Sequence, residues 1–201
     1  MNLINFSLSF DTLIFSIIFA MSVFSLTACD SSSDAKKKLS DQTPELISLA
    51  ESGDLSKVNE LLSLGQSPDI QDSCQWTPLM KAAQYGHIDI VKALLKSGAL
   101  VDQTDKGSYT ALLLAASRNH ADIVSLLIQH GADINHQEKT MGWSALIWAA
   151  KLNYKATVEV LLNHKADQQL KDFQGNNALM WAEKIQSDEI IHLLQLSDIA
   201  Q

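Results

Sequence analysis

A block of about 33 residues recurs along this chain, and this repetition constrains the fold more than any other feature of the sequence. Its clearest copy, WTPLMKAAQYGHIDIVKALLKSGA, occupies residues 76–99. A period of this length, kept through several landmarks, is typical of an array in which each unit buries its apolar face against its neighbours. The landmarks that recur at intervals of 33, 34 and 33 residues are Thr77, Thr110, Ser144 and Asn177; Ala82, Ala115, Ala149 and Ala182; and Leu94, Leu127, Leu161 and Leu194.

Each copy predicts two short helices separated by a turn. Thr77 can cap the first helix through its hydroxyl, and Pro78 suits the first helical position. Ile90, Val91 and Leu94 are spaced as the apolar stripe of a second amphipathic helix. Glycine then follows at position 98, where a left-handed residue commonly ends a helix.

The motifs TPLMKAA (77–83), GHIDIVKALL (86–95) and GA (98–99) resemble the ankyrin repeat. The resemblance covers residues 43–197 and implies an all-α solenoid of about five helix-turn-helix repeats joined by short hairpin loops. The first and last repeats are expected to be atypical caps, since one face of each lacks a neighbouring repeat. In the fourth repeat, Lys165 replaces the glycine that closes the second helix.

One element of the family pattern is absent. Apolar residues occupy the histidine position of the T-P-L-H motif, so we expect its hydrogen bond between repeats to be replaced by apolar packing. The histidines in the turns between the paired helices, His87 and His120, are expected to cap the second helices. The replacing residues are Met80, Leu113, Ile147 and Met180.

The N-terminal region has the features of a targeting signal. Residues 13–26 form an apolar run that suits a signal peptide better than a spanning helix, which needs about 20 residues. The sequence LTAC at 26–29 resembles a bacterial lipobox, with Cys29 as the lipidated residue. We therefore predict a lipoprotein signal peptide at 1–28, a flexible tether at 29–42 and a repeat domain at 43–201. The expected location is the bacterial cell envelope, facing the periplasm.

Two further observations bear on this assignment. Asp30 resembles the signal that retains some lipoproteins in the inner membrane. However, no Lys or Arg precedes the apolar run, whereas three lysines follow it at 36–38. An uncleaved anchor with this asymmetry would leave the repeats in the cytoplasm. A misassigned start codon would also explain the unusual first residues.

Charge and motif content exclude several function classes. The formal net charge of −8 argues against nucleic-acid binding, which depends on Lys and Arg contacts to phosphate. Two cysteines, Cys29 and Cys74, provide no disulfide framework. The histidines recur about one repeat apart, whereas a zinc site needs ligands that converge. No nucleophile elbow, phosphate loop or metalloprotease motif occurs, so we predict a protein that is not an enzyme and needs no cofactor.

The resemblance implies that hairpin tips and the ends of the first helices line a concave face. Large residues at these positions predict a partner-binding groove with an aromatic ladder, because aromatic residues and arginine dominate binding hot spots. The alternative is that the aromatic residues pack on neighbouring hairpins and stabilise the array. Trp148 and Trp181 lie inside first helices and are expected in the core. The candidate binding residues are Trp76, Tyr85, Tyr109, Arg118, Trp143 and Leu152.

The predicted function is therefore a membrane-anchored, non-catalytic scaffold or adaptor that recognises a protein partner through its concave face. No small-molecule substrate, nucleic acid or metal is expected. Two alternatives stay open at this point: a cytoplasmic or secreted effector-like ankyrin protein, and an accessory subunit of an enzyme.

Overall fold

A computed structural model of the chain describes residues 44–199. The predicted signal peptide, Cys29 and the tether lie outside the described residues. Within them the secondary structure is entirely helical, which confirms the predicted all-α repeat fold. The ten helices are α1 (Glu45–Ser52), α2 (Leu55–Ser63), α3 (Pro78–Tyr85), α4 (Ile88–Lys96), α5 (Ala111–Ala116), α6 (Ala121–Gln129), α7 (Ala145–Lys151), α8 (Lys155–Asn163), α9 (Ala178–Lys184) and α10 (Asp188–Ile199).

The helices form five pairs that stack in two layers. The first helices α1, α3, α5, α7 and α9 each pack on the next in one layer. The second helices α2, α4, α6, α8 and α10 do the same in the other layer. Each repeat thus contacts mainly its neighbours, which is the arrangement of a solenoid. None of the ten helices is both long and apolar enough to span a membrane.

The first helices of the second to fifth repeats begin where the repeated polar residues predicted. The Met80 backbone N–H donates to Thr77 Oγ1 at 3.2 Å, and the Leu113 N–H donates to Thr110 Oγ1 at 3.3 Å. Ser144 and Asn177 cap α7 and α9 in the same way. Each cap satisfies one of the N–H groups that a helix N-terminus leaves without an intrahelical partner.

The second helices of three repeats end at glycines with left-handed backbone conformations. Gly65, Gly98 and Gly131 have φ angles of 86°, 87° and 89°. Lys165 occupies the equivalent position and keeps the same region at φ 61°. The fold therefore imposes this conformation on the fourth repeat although its residue has a Cβ, which normally disfavours it.

Histidines link neighbouring repeats, contrary to the expectation of purely apolar packing. The side chain of His87 makes no cap hydrogen bond in α4; its Nε2 lies 2.9 Å from the Glu51 carbonyl oxygen in the preceding repeat. His120 Nε2 contacts the Gln84 carbonyl oxygen at 3.2 Å. The predicted capping role is thus wrong, and these histidines supply the inter-repeat bond that the T-P-L-H position lacks.

A second polar link joins the loops that follow the second helices. The Leu100 N–H donates to Asp69 Oδ1 in the preceding repeat at 2.9 Å. Asp102 and Asn135 accept the equivalent bonds from the next two repeats at 3.0 and 2.9 Å. Because these bonds recur with the repeat period, they hold each repeat in register with the one before it.

Candidate functional site

A carboxylate at the base of each hairpin holds its tip in place. Asp72 Oδ1 accepts the backbone N–H groups of Cys74 and Trp76 at 2.8 and 2.9 Å. Asp105 and Asp172 repeat this arrangement: each accepts the backbone N–H groups of the residues two and four positions after it. Hydrogen bonds from N–H groups to an ionised acceptor are stronger than neutral ones. Sequence reasoning did not identify these residues, although an acidic residue precedes the caps of α3, α5, α7 and α9 by five or six positions.

The hairpin of the fourth repeat, which precedes α7, is one residue longer than the others, and a longer side chain closes it. Glu138 Oε1 accepts the N–H groups of Met141 and Trp143 at 2.8 and 3.0 Å, and Oε2 accepts the N–H and hydroxyl of Thr140. Glu138 is only 1% exposed. The extra methylene of glutamate spans the extra residue, which explains the single interval of 34 in the repeat.

The expected aromatic ladder is wrong for two of its three members. Trp76 is 5% exposed and Trp143 is 3% exposed, so neither presents a free surface to a partner. The Lys81 ammonium covers the Trp76 ring at 4.6 Å from its centroid. The Trp143 indole turns inward and packs edge-on against Trp148, with centroids 4.6 Å apart. The alternative interpretation, packing that stabilises the array, describes both tryptophans.

The third member, Tyr109, is half-buried. Its hydroxyl lies 3.2 Å from the Thr140 hydroxyl of the next hairpin. Its ring covers Gly107 so closely that a Cβ there would lie 2.8 Å from a ring carbon. Burial, followed by the effect of the nearby acidic groups, raises the pKa of Tyr109. Tyr109 therefore joins adjacent hairpins and presents only part of its ring.

The other three candidates lie at the surface. Tyr85, Arg118 and Leu152 each stand eight residues after the cap of their first helix. Tyr85 is 49% exposed, Arg118 is exposed, and Leu152 is partly exposed. Tyr85 stacks on His87 with centroids 6.5 Å apart and planes inclined by 12°. Their role in binding stays a prediction.

Side chains of the fourth and fifth repeats form a tryptophan–lysine cluster, which sequence reasoning did not identify. The Lys151 ammonium lies 3.5 Å from the centroid of the Trp181 ring and 4.8 Å from that of Trp143. The Lys184 ammonium lies 4.6 Å from the Trp181 centroid. The cluster is defined as Trp143, Trp148, Lys151, Trp181 and Lys184.

Asp172 supports this cluster from the fifth hairpin. Its Oδ2 accepts the indole N–H of Trp181 at 2.8 Å and that of Trp143 at 3.2 Å. Desolvation by itself would raise the pKa of Asp172, but these bonds and the backbone N–H of Asn176 outweigh it and lower the pKa. The carboxylate is thus ionised and occupied by N–H donors at neutral pH.

The same environment disfavours the charged form of Lys151. Desolvation, followed by repulsion from Lys184, lowers the pKa of Lys151 from its ordinary value of 10.5 to about 8, although Asp172 opposes the change. An ammonium over an indole face gains cation–π attraction, but here two ammonium groups compete for the same ring. The positive charge of Lys151 therefore lies where burial and the neighbouring ammonium of Lys184 disfavour it.

Trp148 and Trp181 are 6% and 7% exposed, which confirms their predicted place in the core. The indole N–H of Trp148 is buried and has no hydrogen-bond partner among the described residues. Across residues 44–199, no group of three histidine, cysteine or acidic side chains could hold a metal ion.

The comparison with known families agrees with the stacked helix pairs. The family model described as "Ankyrin repeats (3 copies)" matches residues 46–138 and 136–200. The chain belongs to the ankyrin-repeat family. Ankyrin repeats are protein–protein interaction modules, and they are generally non-catalytic. Among curated proteins, none matches this ankyrin chain.

Proposed function

We propose that this ankyrin array is a non-catalytic module that binds a protein partner through the ends of its first helices. We define the helix-end surface as Tyr85, Arg118, Lys151, Leu152 and Lys184. The observation that carries the proposal is that these residues occupy two adjacent register positions in successive repeats and stay at least partly exposed. Tyrosine and arginine are frequent in binding hot spots.

The structure around this surface favours recognition without large rearrangement. Every residue of α5 and α7 is buried except Lys151. Side chains at the ends of such helices are presented from a packed support, so binding would order little of the array. Trp76 and Trp143 contribute indirectly, because they lie beneath the ammonium groups of Lys81 and Lys151.

The first experiment is crosslinked affinity capture with the wild type and a Tyr85→Ala/Arg118→Ala/Leu152→Ala variant. The matched control is Lys57→Ala/Lys92→Ala/Lys155→Ala, three exposed positions on second helices. Circular dichroism establishes that all three proteins are folded. A protein captured by the wild type and the control, but lost by the helix-end variant, supports the proposal. Equal capture by all three proteins contradicts a binding role for this surface.

We also propose that Cys29 is lipidated and anchors the module to the cell envelope, facing the periplasm. The support is the apolar run at 13–26, whose last residue begins the LTAC sequence at 26–29. Acyl chains at Cys29 and a downstream tether would hold the array at a membrane surface, and stable anchoring needs more than one chain. Metabolic labelling with an alkyne fatty acid tests this proposal: the wild type should be labelled and Cys29→Ala should not.

A second measurement separates this location from an uncleaved anchor with cytoplasmic repeats. Protease added to spheroplasts should digest the repeats if they face the periplasm. Repeats that stay protected until the membrane is lysed would contradict the periplasmic location, whatever the labelling result.

A further inference from the structure

We propose that Lys151 and Lys184 form a site for carboxylate side chains, so that the partner bound by this module presents an acidic segment. This inference rests on the proposed function and specifies the chemistry of the partner. Both ammonium groups are held against the Trp181 ring, at 3.5 and 4.6 Å from its centroid. The cluster thus brings both lysines of the helix-end surface to the same indole ring.

Neither of these two charges forms an ion pair within the part of the chain that the structure describes. Neither ammonium has a carboxylate oxygen within 4.0 Å, the limit for an ion pair. Lys184 donates only to the neutral Asn176 side chain, at 2.8 Å. In contrast, Lys81 on α3 pairs with Glu51 at 3.2 Å, and Lys155 on α8 pairs with Glu189 at 2.6 Å.

The nearby carboxylate of Asp172 does not fill this role. Its two oxygens accept the indole N–H groups of Trp143 and Trp181 and the backbone N–H groups of Gln174 and Asn176. These N–H donors occupy both carboxylate oxygens, although the charge of Asp172 still attracts Lys151 through space. Asp172 thus positions the two tryptophans. An ammonium group has three N–H donors, so the two lysines can donate further hydrogen bonds to a bound carboxylate.

Holding the half-buried ammonium of Lys151 beside the like charge of Lys184 costs free energy, in keeping with the lowered pKa of Lys151. Residues at the positions equivalent to Lys151 are neutral in the second and third repeats, where Gln84 and Ser117 stand. The positive pair is therefore not required by the helix packing. A carboxylate bound between the lysines would relieve their repulsion and would form charge-assisted hydrogen bonds.

The remaining charge of the chain favours a short acidic segment over a polyanion. With a formal net charge of −8, the molecule as a whole repels long anionic polymers and anionic membranes. The two positive charges of the lysines can be balanced by one or two carboxylates. A short stretch of Glu or Asp supplies that amount of negative charge. Lys–carboxylate attraction of this kind contributes specificity and association rate more than total affinity.

The test uses fluorescein-labelled hexaglutamate peptide as the probe and a hexaglutamine peptide as its neutral counterpart. Fluorescence anisotropy at low salt measures binding to the wild type, to Lys151→Met/Lys184→Met, and to the matched control Lys57→Met/Lys92→Met. Both double variants remove two positive charges. Circular dichroism and urea denaturation establish folding. The removed lysines lie on α7 and α9, whereas the control lysines lie on α2 and α4.

We expect hexaglutamate to bind the wild type and the control within about twofold of each other, and the cluster variant at least roughly tenfold more weakly, as loss of charge-assisted contacts predicts. Hexaglutamine should not bind. Equal weakening in both double variants would overturn the proposal, because the effect would then follow net charge alone. Absence of hexaglutamate binding to the wild type would overturn it as well.

Two further results separate related explanations. Displacement of hexaglutamate by inorganic phosphate at a similar concentration would show a general anion site and would overturn the assignment to carboxylates. If hexaglutamate fails to bind while the Tyr85→Ala/Arg118→Ala/Leu152→Ala variant still loses a captured partner, the acidic chemistry is wrong and the protein-binding module stands. If hexaglutamate does not bind and the triple variant captures the same proteins as the wild type, the proposed binding module is rejected as well.

Discussion

Lys165 occupies a position where three other repeats have glycine, and its backbone keeps the left-handed conformation at φ 61°. A residue with a Cβ pays about 1–2 kcal/mol in this region, whereas glycine loses roughly 0.5–1 kcal/mol more chain entropy on folding. The difference favours glycine here. We expect Lys165→Gly to raise the free energy of unfolding by about 0.5–1 kcal/mol, measured by urea denaturation.

The matched control for this change is Lys171→Gly. Lys171 is an exposed loop lysine whose φ is not positive, so glycine offers no relief of strain there. Lys171→Gly should leave stability unchanged or lower it slightly. Stabilisation by both variants would indicate a general effect of removing lysine and would contradict the backbone explanation.

Lys151 gives a residue-scale prediction for pH. Its folded-state pKa, about 8, lies below the ordinary value of 10.5 because of burial and the neighbouring charge of Lys184. Between these values the unfolded chain binds more protons than the folded chain, so this group makes the free energy of unfolding rise as pH increases from 8 to 10.5. At pH 7 its full charge is a net cost to the fold.

Lys151→Met should therefore be more stable than the wild type at pH 7, and the difference should shrink toward pH 10. Partial exposure of the ammonium to solvent reduces the size of the effect, so the direction is the test. Urea denaturation of both proteins at pH 7 and pH 10 measures it. A variant that is less stable than the wild type at pH 7 would contradict the assigned strain.

The register of the repeats located the six candidate binding residues but did not give the directions of their side chains. Trp76 and Trp143 stand at equivalent tip positions, and both are buried. The indole of Trp143 turns toward Asp172, which lies 29 residues later in the next hairpin. Such a contact depends on how two repeats stack, and no pattern within one repeat encodes it.

At the scale of single elements, the helices were predictable because caps and apolar spacing act within a few residues. The first helices α3, α5, α7 and α9 begin where Thr, Ser or Asn predicted. The structure of the hairpins was harder to predict from caps and apolar spacing. Their carboxylates act on backbone N–H groups in irregular loops, which leave no apolar period to detect.

Helix α6 provides a prediction for core packing. Leu127 is fully buried in this second helix of the central repeat. Leu127→Ala removes three buried carbons and leaves a cavity, so we expect a loss of about 2–5 kcal/mol in the free energy of unfolding. Leu100→Ala, at a position that is 59% exposed, serves as the control and should change stability by less than about 0.5 kcal/mol. A loss below roughly 0.5 kcal/mol at Leu127 would contradict the assigned packing.

At the scale of the whole array, the central first helices are the most completely buried. Every residue of α5 is buried, whereas α2 buries only Val58. Because each repeat contacts mainly its neighbours, local opening should occur most readily at repeats with fewer buried residues. Hydrogen exchange should therefore be slowest in α5 and α7 and faster in α2. Equal protection in α2 and α5 would indicate that the array opens only as a single unit.

The Glu138 hairpin gives the final prediction. Aspartate is one methylene too short to reach the N–H groups of Met141 and Trp143, which lie three and five residues further along the hairpin. Glu138→Asp should cost about 1–3 kcal/mol, because buried N–H groups lose their acceptor. Urea denaturation measures the loss. Deleting Thr140 in the same variant restores the length of the other hairpins, so it should recover part of the stability; no recovery would contradict the proposed relation.

The length of a hairpin and the length of its acidic side chain must therefore match in this architecture. A residue inserted into the loop after Asp105 should be tolerated when Asp105 becomes glutamate, and should be damaging when it stays aspartate. An engineer could lengthen one hairpin at a time in this way. The helix stack would then serve as a constant scaffold, and loops of chosen length would present new side chains from it.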